Sequence, residues 1–266
     1  MLQTEPLRDL LNKNCQFGEI RKKIDSGVLR AVSVSALDYL TTSTTSFIEG
    51  NDDVKTWNRI RRLSEKTSLS SEHIMASAAI PLLFPPIQVG DFYYGDGCVR
   101  NLSPCAPAIY MGAKRLIAIG VRKPQDLCYT SKHAGPQRSP TLAKVINVLL
   151  HAVMMDGLEH DIERMERINQ NLKLLNETEK KALPISPIEY LWISPSVEIS
   201  EIAAKKVTDL PMMIRYLLKG LGSLEEAAEL ASFLLFESSY CKELIEIGYE
   251  DGMKHKDKIH SFITHQ

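Results

Sequence analysis

The sequence predicts an α/β fold, and three observations carry that expectation. Segments with helical periodicity alternate with short apolar or β-branched runs. One such run, Leu116–Val121 in "RLIAIGV", is continuously apolar, the pattern of a strand buried on both faces of a parallel sheet. Past Ser139 almost every periodic segment is helical, so the carboxy-terminal part is expected to be mostly helix.

The elements follow in order. "EPLRDLLNK" (Glu5–Lys13) is an amphipathic helix with Leu7, Leu10 and Leu11 on one side, and "FGEIRKKIDSG" is a second helix stopped by Gly27. "VLRAVSVSALDYL" (Val28–Leu40) alternates and is rich in β-formers, so it is a strand, and "TTSTTSFIEG" is a shorter one closing at Gly50. The polar run "NDDVKTWNRIRRLSEKTSLS" is a surface excursion with a solvated "RIRR" at Arg59–Arg62. Ser70 caps a helix through "SEHIMASAAI" that Pro81 ends. Pro85-Pro86 lead into a hairpin around Gly90-Asp91, and "PCAPAIYMGAKRLIAIGV" is a helix, Gly112, then the Leu116–Val121 strand.

Val121 to Pro140 is a polar linker, and Ser139-Pro140 starts a long amphipathic helix with a break near Gly157. Its apolar positions run Leu142, Val145, Ile146, Leu149, Val153, Leu158, Ile162, Met165 and Leu172. "YLWISPS" (Tyr190–Ser196) is another buried strand. Ser223 and Glu226 form a capping box that opens "LEEAAELASFLLF", with another helix to about Gly252.

Composition narrows the function classes. Among 266 residues, 32 Lys and Arg face 33 Asp and Glu, a net charge of −1, so no basic surplus suits a nucleic-acid partner. The cysteines (Cys15, Cys98, Cys105, Cys128, Cys241) are odd in number and form no CxxC pair, which points to a reduced cytoplasmic chain and to no metal. No apolar run reaches the ~18 residues of a membrane-spanning helix. His151 and His160, nine apart on one helix, are not spaced as ligands. Met154-Met155 and "SFLLF" are core.

Three stretches occur in a telling order: "HIMASAAIPLLFPP", "YYGDG" and "NLSPCAPAIYMGAKRLIAIGV". Together they resemble the patatin-like phospholipase family around its Asp-Gly-Gly or Asp-Gly-Ala motif. "LRAVSVSALDYLTTSTTSFIEG" is similar to the strand pair upstream of that motif. "DIERMERINQNL", "LWISPS" and "FLLFESSYCKELIEIGYEDG" are similar to the carboxy-terminal region of its bacterial members. The resemblance implies a three-layer α/β/α sheet, with residues 1–123 as the remainder of the hydrolase domain and 124–266 as a helical part packed on it.

It also implies lipid acyl hydrolysis by a Ser-Asp dyad, without cofactor or metal. The family's serine lies in Gly-x-Ser-x-Gly on a strand-to-helix turn, a glycine-rich loop donates N–H groups to the oxyanion, and the aspartate takes the serine proton. By position, Asp96 matches that aspartate. Taken alone, Gly95-Asp96-Gly97 is only a tight turn; the flanking motifs make it the candidate catalytic residue. Cys98 stands where the family has a second glycine or an alanine, which questions the turn geometry if positive φ is needed.

No Gly-x-Ser-x-Gly occurs in the 266 residues, and "GLGSL" (Gly220–Leu224) lacks the final glycine. The resemblance therefore implies an amino-terminally truncated or split hydrolase, inactive alone. Its partners would be a lipid or acyl ester, a complementing segment or a second copy, and at most a peripheral contact with membrane. A non-catalytic binding or scaffold protein on a degenerate version of the fold is the alternative. Asp96 is expected at a strand end, in a groove, partly exposed and without a cationic partner.

Overall fold

The computed structural model describes residues 3–81, 83–123, 139, 141–154, 156–207, 210, 212, 215–216, 232 and 235–264. It is α/β, with a mixed six-stranded sheet, a separate strand pair, and helices. Residues 1–116 with 156–189 form one compact unit, and residues 117–155 with 190–266 form a second.

The first unit is built on a hairpin. Strands β1 (Ala31–Asp38) and β2 (Ser43–Gly50) pair antiparallel from Ala31↔Gly50 to Asp38↔Ser43. Strand β3 (Asn58–Arg59) pairs antiparallel with β4 (Arg62–Lys66), and β4 runs parallel to β2. Strands β5 (Ile87–Val89) and β6 (Phe92–Asp96) form a second hairpin, turned by Gly90 at φ 59°. β6 then pairs antiparallel with β1, giving the order β3-β4-β2-β1-β6-β5. Two expectations are corrected here. The "surface excursion" contributes two strands, polar because β4 is half exposed near the sheet edge. The sheet is mostly antiparallel, with β2 and β4 its parallel pair.

Period-two alternation sends Val32, Val34, Ala36 and Phe47 to one face. Helices α1 (Glu5–Asn14), α2 (Gly18–Asp25) and α3 (Ser71–Ser77) cover that face, with Leu11, Ile20, Met75 and Ala76 packed into the same cluster as Tyr94. Burying a side chain such as Phe47 contributes about 2–3 kcal/mol. α1 turns only Leu11 inward, and Leu7 and Leu10 stay exposed. α3 is opened by Ser70, whose N–H and hydroxyl lie 3.1 and 2.9 Å from His73 Nδ1. Buried against the Phe47 ring, His73 has its pKa lowered by desolvation and acts as a helix cap.

After β6 come a 3₁₀ turn (Gly97–Val99), α4 (Ala106–Tyr110), then β7 (Arg115–Ile119), which pairs with β8 (Glu189–Ile193). β7 is not buried on both faces. Leu116 and Ala118 are buried while Ile117 and Ile119 are exposed, because packing covers one face only; β8 is likewise half-buried. The long helix is two helices, α5 (Leu142–Met154) and α6 (Gly157–Lys173), followed by α7 (Glu177–Ala182). Gly157 starts α6 so close to Asn101 that a Cβ would lie 3.0 Å from its carbonyl oxygen. Ile162, Met165 and Leu172 on α6 are buried as expected, whereas Leu142, Val145, Leu149 and Val153 on α5 are exposed.

In the second unit, α8 (Ile199–Lys206) and α9 (Ser238–Lys254) enclose Ile202, Ala203, Val207, Leu210, Leu235 and Tyr240, and α10 (Lys256–Thr264) follows. Ile146 and Leu150 of α5 pack on this cluster. Of the "SFLLF" stripe, Leu235 is core and Phe236 is exposed. The Ser223–Glu226 capping box, "GLGSL", Met155, the side chains of Met154 and His151, and linker residues 124–138 lie outside the described residues. Among the described residues no helix is long and apolar enough to cross a membrane.

Candidate active site

Asp96 is the last residue of β6, held there from two sides. Its place in the ladder is opposite Ala36 of β1, and its N–H donates to the Ala79 carbonyl (2.9 Å) just past α3. The side chain emerges on the face that carries Ala36, the face α3 covers. Only 6% of the residue is exposed. This differs from the half-open position expected from the sequence, and the cause is the close approach of β1 and the Ala78–Ala79 segment.

The glycines beside it answer to packing. A Cβ on Gly95 would lie 2.6 Å from the Tyr39 hydroxyl, and one on Gly97 would lie 2.5 Å from the Ser35 carbonyl oxygen. Neither glycine takes positive φ. Gly95-Asp96-Gly97 is therefore a place where the chain presses on β1 and on an aromatic ring, not a free turn. Cys98 also avoids positive φ and sits in the 3₁₀ turn, so the substitution imposes no backbone strain.

The carboxylate has few donors. Oδ1 accepts from the Cys98 N–H at 2.8 Å, and the Cys98 thiol also donates to the group. Beyond Cys98, no described residue donates to it, and no Lys or Arg pairs with it. Burial pushes its pKa above the ordinary carboxylate range, against the lowering pull of the Cys98 donors. Cys98 keeps exposed surface, yet the protein packed about its sulfur and the Asp96 charge push the thiol up to about 12. It is no thiolate nucleophile at neutral pH.

Asp38 is the natural contrast, lying opposite Tyr94 in the same ladder and also 6% exposed. Its Oδ1 accepts from Leu40 N–H (2.8 Å) and its Oδ2 from the Thr41 hydroxyl (2.7 Å). Both oxygens serve the turn between β1 and β2.

Sequence reasoning missed two other buried carboxylates. Asp161 on α6 accepts from Cys105 N–H (2.9 Å) and from Ser103, whose hydroxyl also receives Arg164 (3.2 Å). Burial raises its pKa, while these donors with Arg164 and Arg62 oppose the rise. Asp251 on α9 accepts from Ser196 N–H (2.8 Å) and pairs with Lys254 (3.1 Å). Although desolvation works to raise it, the Ser196 donors and Lys254 hold Asp251 below its usual range. Both look like ordinary helix carboxylates in sequence, because their partners lie 56 and 55 residues away.

A cavity of about 150 Å³ lies within the second unit, between Ile119, Ile193, Leu244, Ile247 and Asp251; Asp96 does not line it. His160 is exposed on α6, and Arg59 and Arg61 are exposed around the β3–β4 turn. Among the described residues no His, Cys, Asp and Glu cluster is arranged for a metal.

Residues 1–109 match the family model described as patatin-like phospholipase. The matched stretch includes all six strands of the main sheet, Asp96, and most of α4. No curated protein matches the chain.

Proposed function

We propose that this patatin-like chain is the aspartate-bearing part of a lipid acyl hydrolase, with Asp96 as the base of a Ser-Asp dyad. The observation that carries the reading is the unequal use of two buried carboxylates. Asp38 spends both oxygens on an N–H and a hydroxyl of its turn, whereas Asp96 accepts only from Cys98, through its N–H and its weakly donating thiol. A carboxylate that is buried, short of donors and raised in pKa is suited to accept a hydroxyl proton, since proton uptake relieves its poor solvation. The serine comes from a segment outside these 266 residues, which hold no Gly-x-Ser-x-Gly.

In the reaction, the serine hydroxyl attacks the ester carbonyl while Asp96 takes its proton. The tetrahedral oxyanion is stabilised by backbone N–H groups of the same outside segment. Asp96 returns the proton to the leaving alcohol, and a water molecule then repeats the sequence to release the fatty acid. Substrate would be met as a peripheral protein from the cytoplasm, a reading supported by the scattered cysteines. The apolar residues exposed on β7 (Ile117, Ile119) support a complementing segment or self-association.

The reading is tested by p-nitrophenyl butyrate hydrolysis. The purified chain alone shows no turnover above background. Mixed with a polypeptide carrying a glycine-rich loop and Gly-x-Ser-x-Gly, it gains serine-dependent turnover that Asp96→Asn abolishes. Restored turnover that survives Asp96→Asn overturns the assignment. One observation favours a non-catalytic scaffold instead: Oδ1 of Asp96 already caps its own 3₁₀ turn. On that reading no complementing segment restores turnover.

A further inference from the structure

Three hairpin turns share one end of the main sheet. Because β6 runs antiparallel to β1 and β4 parallel to β2, the β1–β2 turn (39–42), the β3–β4 turn (60–61) and the β5–β6 turn (90–91) lie side by side. With strands ~4.8 Å apart in the sheet, neighbouring turns stand ~10 Å apart. Arg100 reaches the first of them, its Nε donating to the Thr42 carbonyl (3.3 Å). Leu102 follows, with its N–H on the Arg100 carbonyl (3.0 Å).

This end carries side chains that its turns do not need. Leu40 is 73% exposed, Ile60 91% and Leu102 70%. Thr42 and Arg61 take φ of 52° and 57°, left-handed positions where glycine or asparagine is the unstrained choice. Tight turns are normally small and polar, so aliphatic tips flanked by arginines answer to something outside the fold. The charges are as one-sided. Segments 39–42, 59–62 and 98–102 hold Arg59, Arg61, Arg62 and Arg100 and no Asp or Glu, in a chain of net charge −1. Elsewhere Arg8, Arg21, Arg30 and Arg115 each pair with a carboxylate. Among the described residues no carboxylate pairs with Arg59, Arg61 or Arg100. Asp91 is the sole acid in the three turns.

We propose that this end of the sheet is a contact surface for a bilayer containing anionic lipid. Leu40, Ile60 and Leu102 enter the boundary between headgroups and acyl chains, and Arg59, Arg61 and Arg100 meet headgroup phosphates. Exposed aliphatics beside unpaired cations suit such a surface, because apolar burial and attraction to anionic lipid add. The shape selects a bilayer over a folded protein. Side chains projecting singly from turns ~10 Å apart need a matching pit for each in a rigid partner, whereas fluid headgroups close around them. Tyr93, exposed beside the third turn, is of the kind that settles at headgroup level. The surface is read from exposure and charge, and it does not rest on Asp96 being a base.

Vesicle flotation of the whole chain tests this, since bound protein rises while aggregated protein sinks. Phosphatidylcholine vesicles with about 30% phosphatidylglycerol are expected to bind it ~10-fold more tightly than phosphatidylcholine alone, a difference lost at about 0.5 M salt. Leu40→Ser with Ile60→Ser, and Arg59→Gln with Arg61→Gln, should each weaken binding roughly tenfold. All four side chains are exposed, so urea unfolding should not change. Val28→Ser, exposed at the opposite end of β1, should bind like the parent. Absent flotation with anionic vesicles, equal binding to both vesicle types, or full binding by either double variant overturns the proposal. So does capture by immobilised polyglutamate in place of vesicles, which assigns the surface to an acidic protein. The chain alone is used and no ester is cleaved, so any of these failures leaves the hydrolase reading standing.

Discussion

The turn after β1 and the turn after β6 each bury an aspartate to the same degree, and they use it differently. Asp38 closes the β1–β2 turn with both oxygens, through Leu40 N–H and the Thr41 hydroxyl. Asp96 closes β6 through Cys98 alone, accepting from its N–H and from its thiol, a weak donor. A carboxylate placed for structure is saturated by its neighbours, because an unsatisfied buried oxygen costs about 1–3 kcal/mol. One left short of donors is a liability to the fold that chemistry can use. Asp161 falls with Asp38, although it gathers its donors from a distant loop.

The comparison can be broken most forcefully at Gly97. An alanine there would push its Cβ into the Ser35 carbonyl, on strand backbone that cannot yield. Gly97→Ala is expected to cost roughly 3 kcal/mol in urea unfolding, near the top of the range for overpacking. A change near zero would show that the turn after β6 is as free as an ordinary one. Next in size is Asp161→Ala, which orphans the buried Cys105 N–H and should cost about 2 kcal/mol. A silent Asp161→Ala would remove it from the structural class.

Asp96→Asn has the opposite sign. The folded chain raises the Asp96 pKa, so the stability its protonated form contributes is complete below the unfolded value and is lost as pH rises through the folded one. Asparagine stays neutral and can still accept from Cys98 N–H. The variant should gain about 1 kcal/mol, or ~2–4 °C in Tm, at pH 8, and the gain should fade toward pH 4. A loss of stability at pH 8 would place Asp96 beside Asp38 as a structural residue. Smallest is Cys98→Ala, expected within about 0.5 kcal/mol of the parent. In the parent chain, iodoacetamide at pH 8 should label exposed Cys15 well before Cys98, whose thiol is pushed up to about 12.

Much of the architecture around Asp96 is legible without coordinates. The β1–β2 hairpin shows in its alternation, Ser70 announces α3, and Gly90-Asp91 announces the β5–β6 turn. These signals are local, set by propensity, capping and turn chemistry within a few residues. β4 was hidden because "RLSEK" is polar, and nothing in five residues tells a half-exposed strand from a loop. β7 reads as doubly buried because apolar content reports what a strand tolerates, not which neighbours cover it.

By itself, then, the sequence determined the α/β class and the order of elements around the Asp-Gly motif, and it singled out Asp96 as the candidate residue. Tertiary structure alone decided that the flanking glycines answer to Tyr39 and Ser35, that Asp96 is buried, and that its donors are few. It also decided that Asp161 and Asp251 are buried and bonded at all. The physical reason is range. Capping, turns and periodicity act within a few residues, whereas desolvation and hydrogen-bond supply depend on groups far apart along the chain.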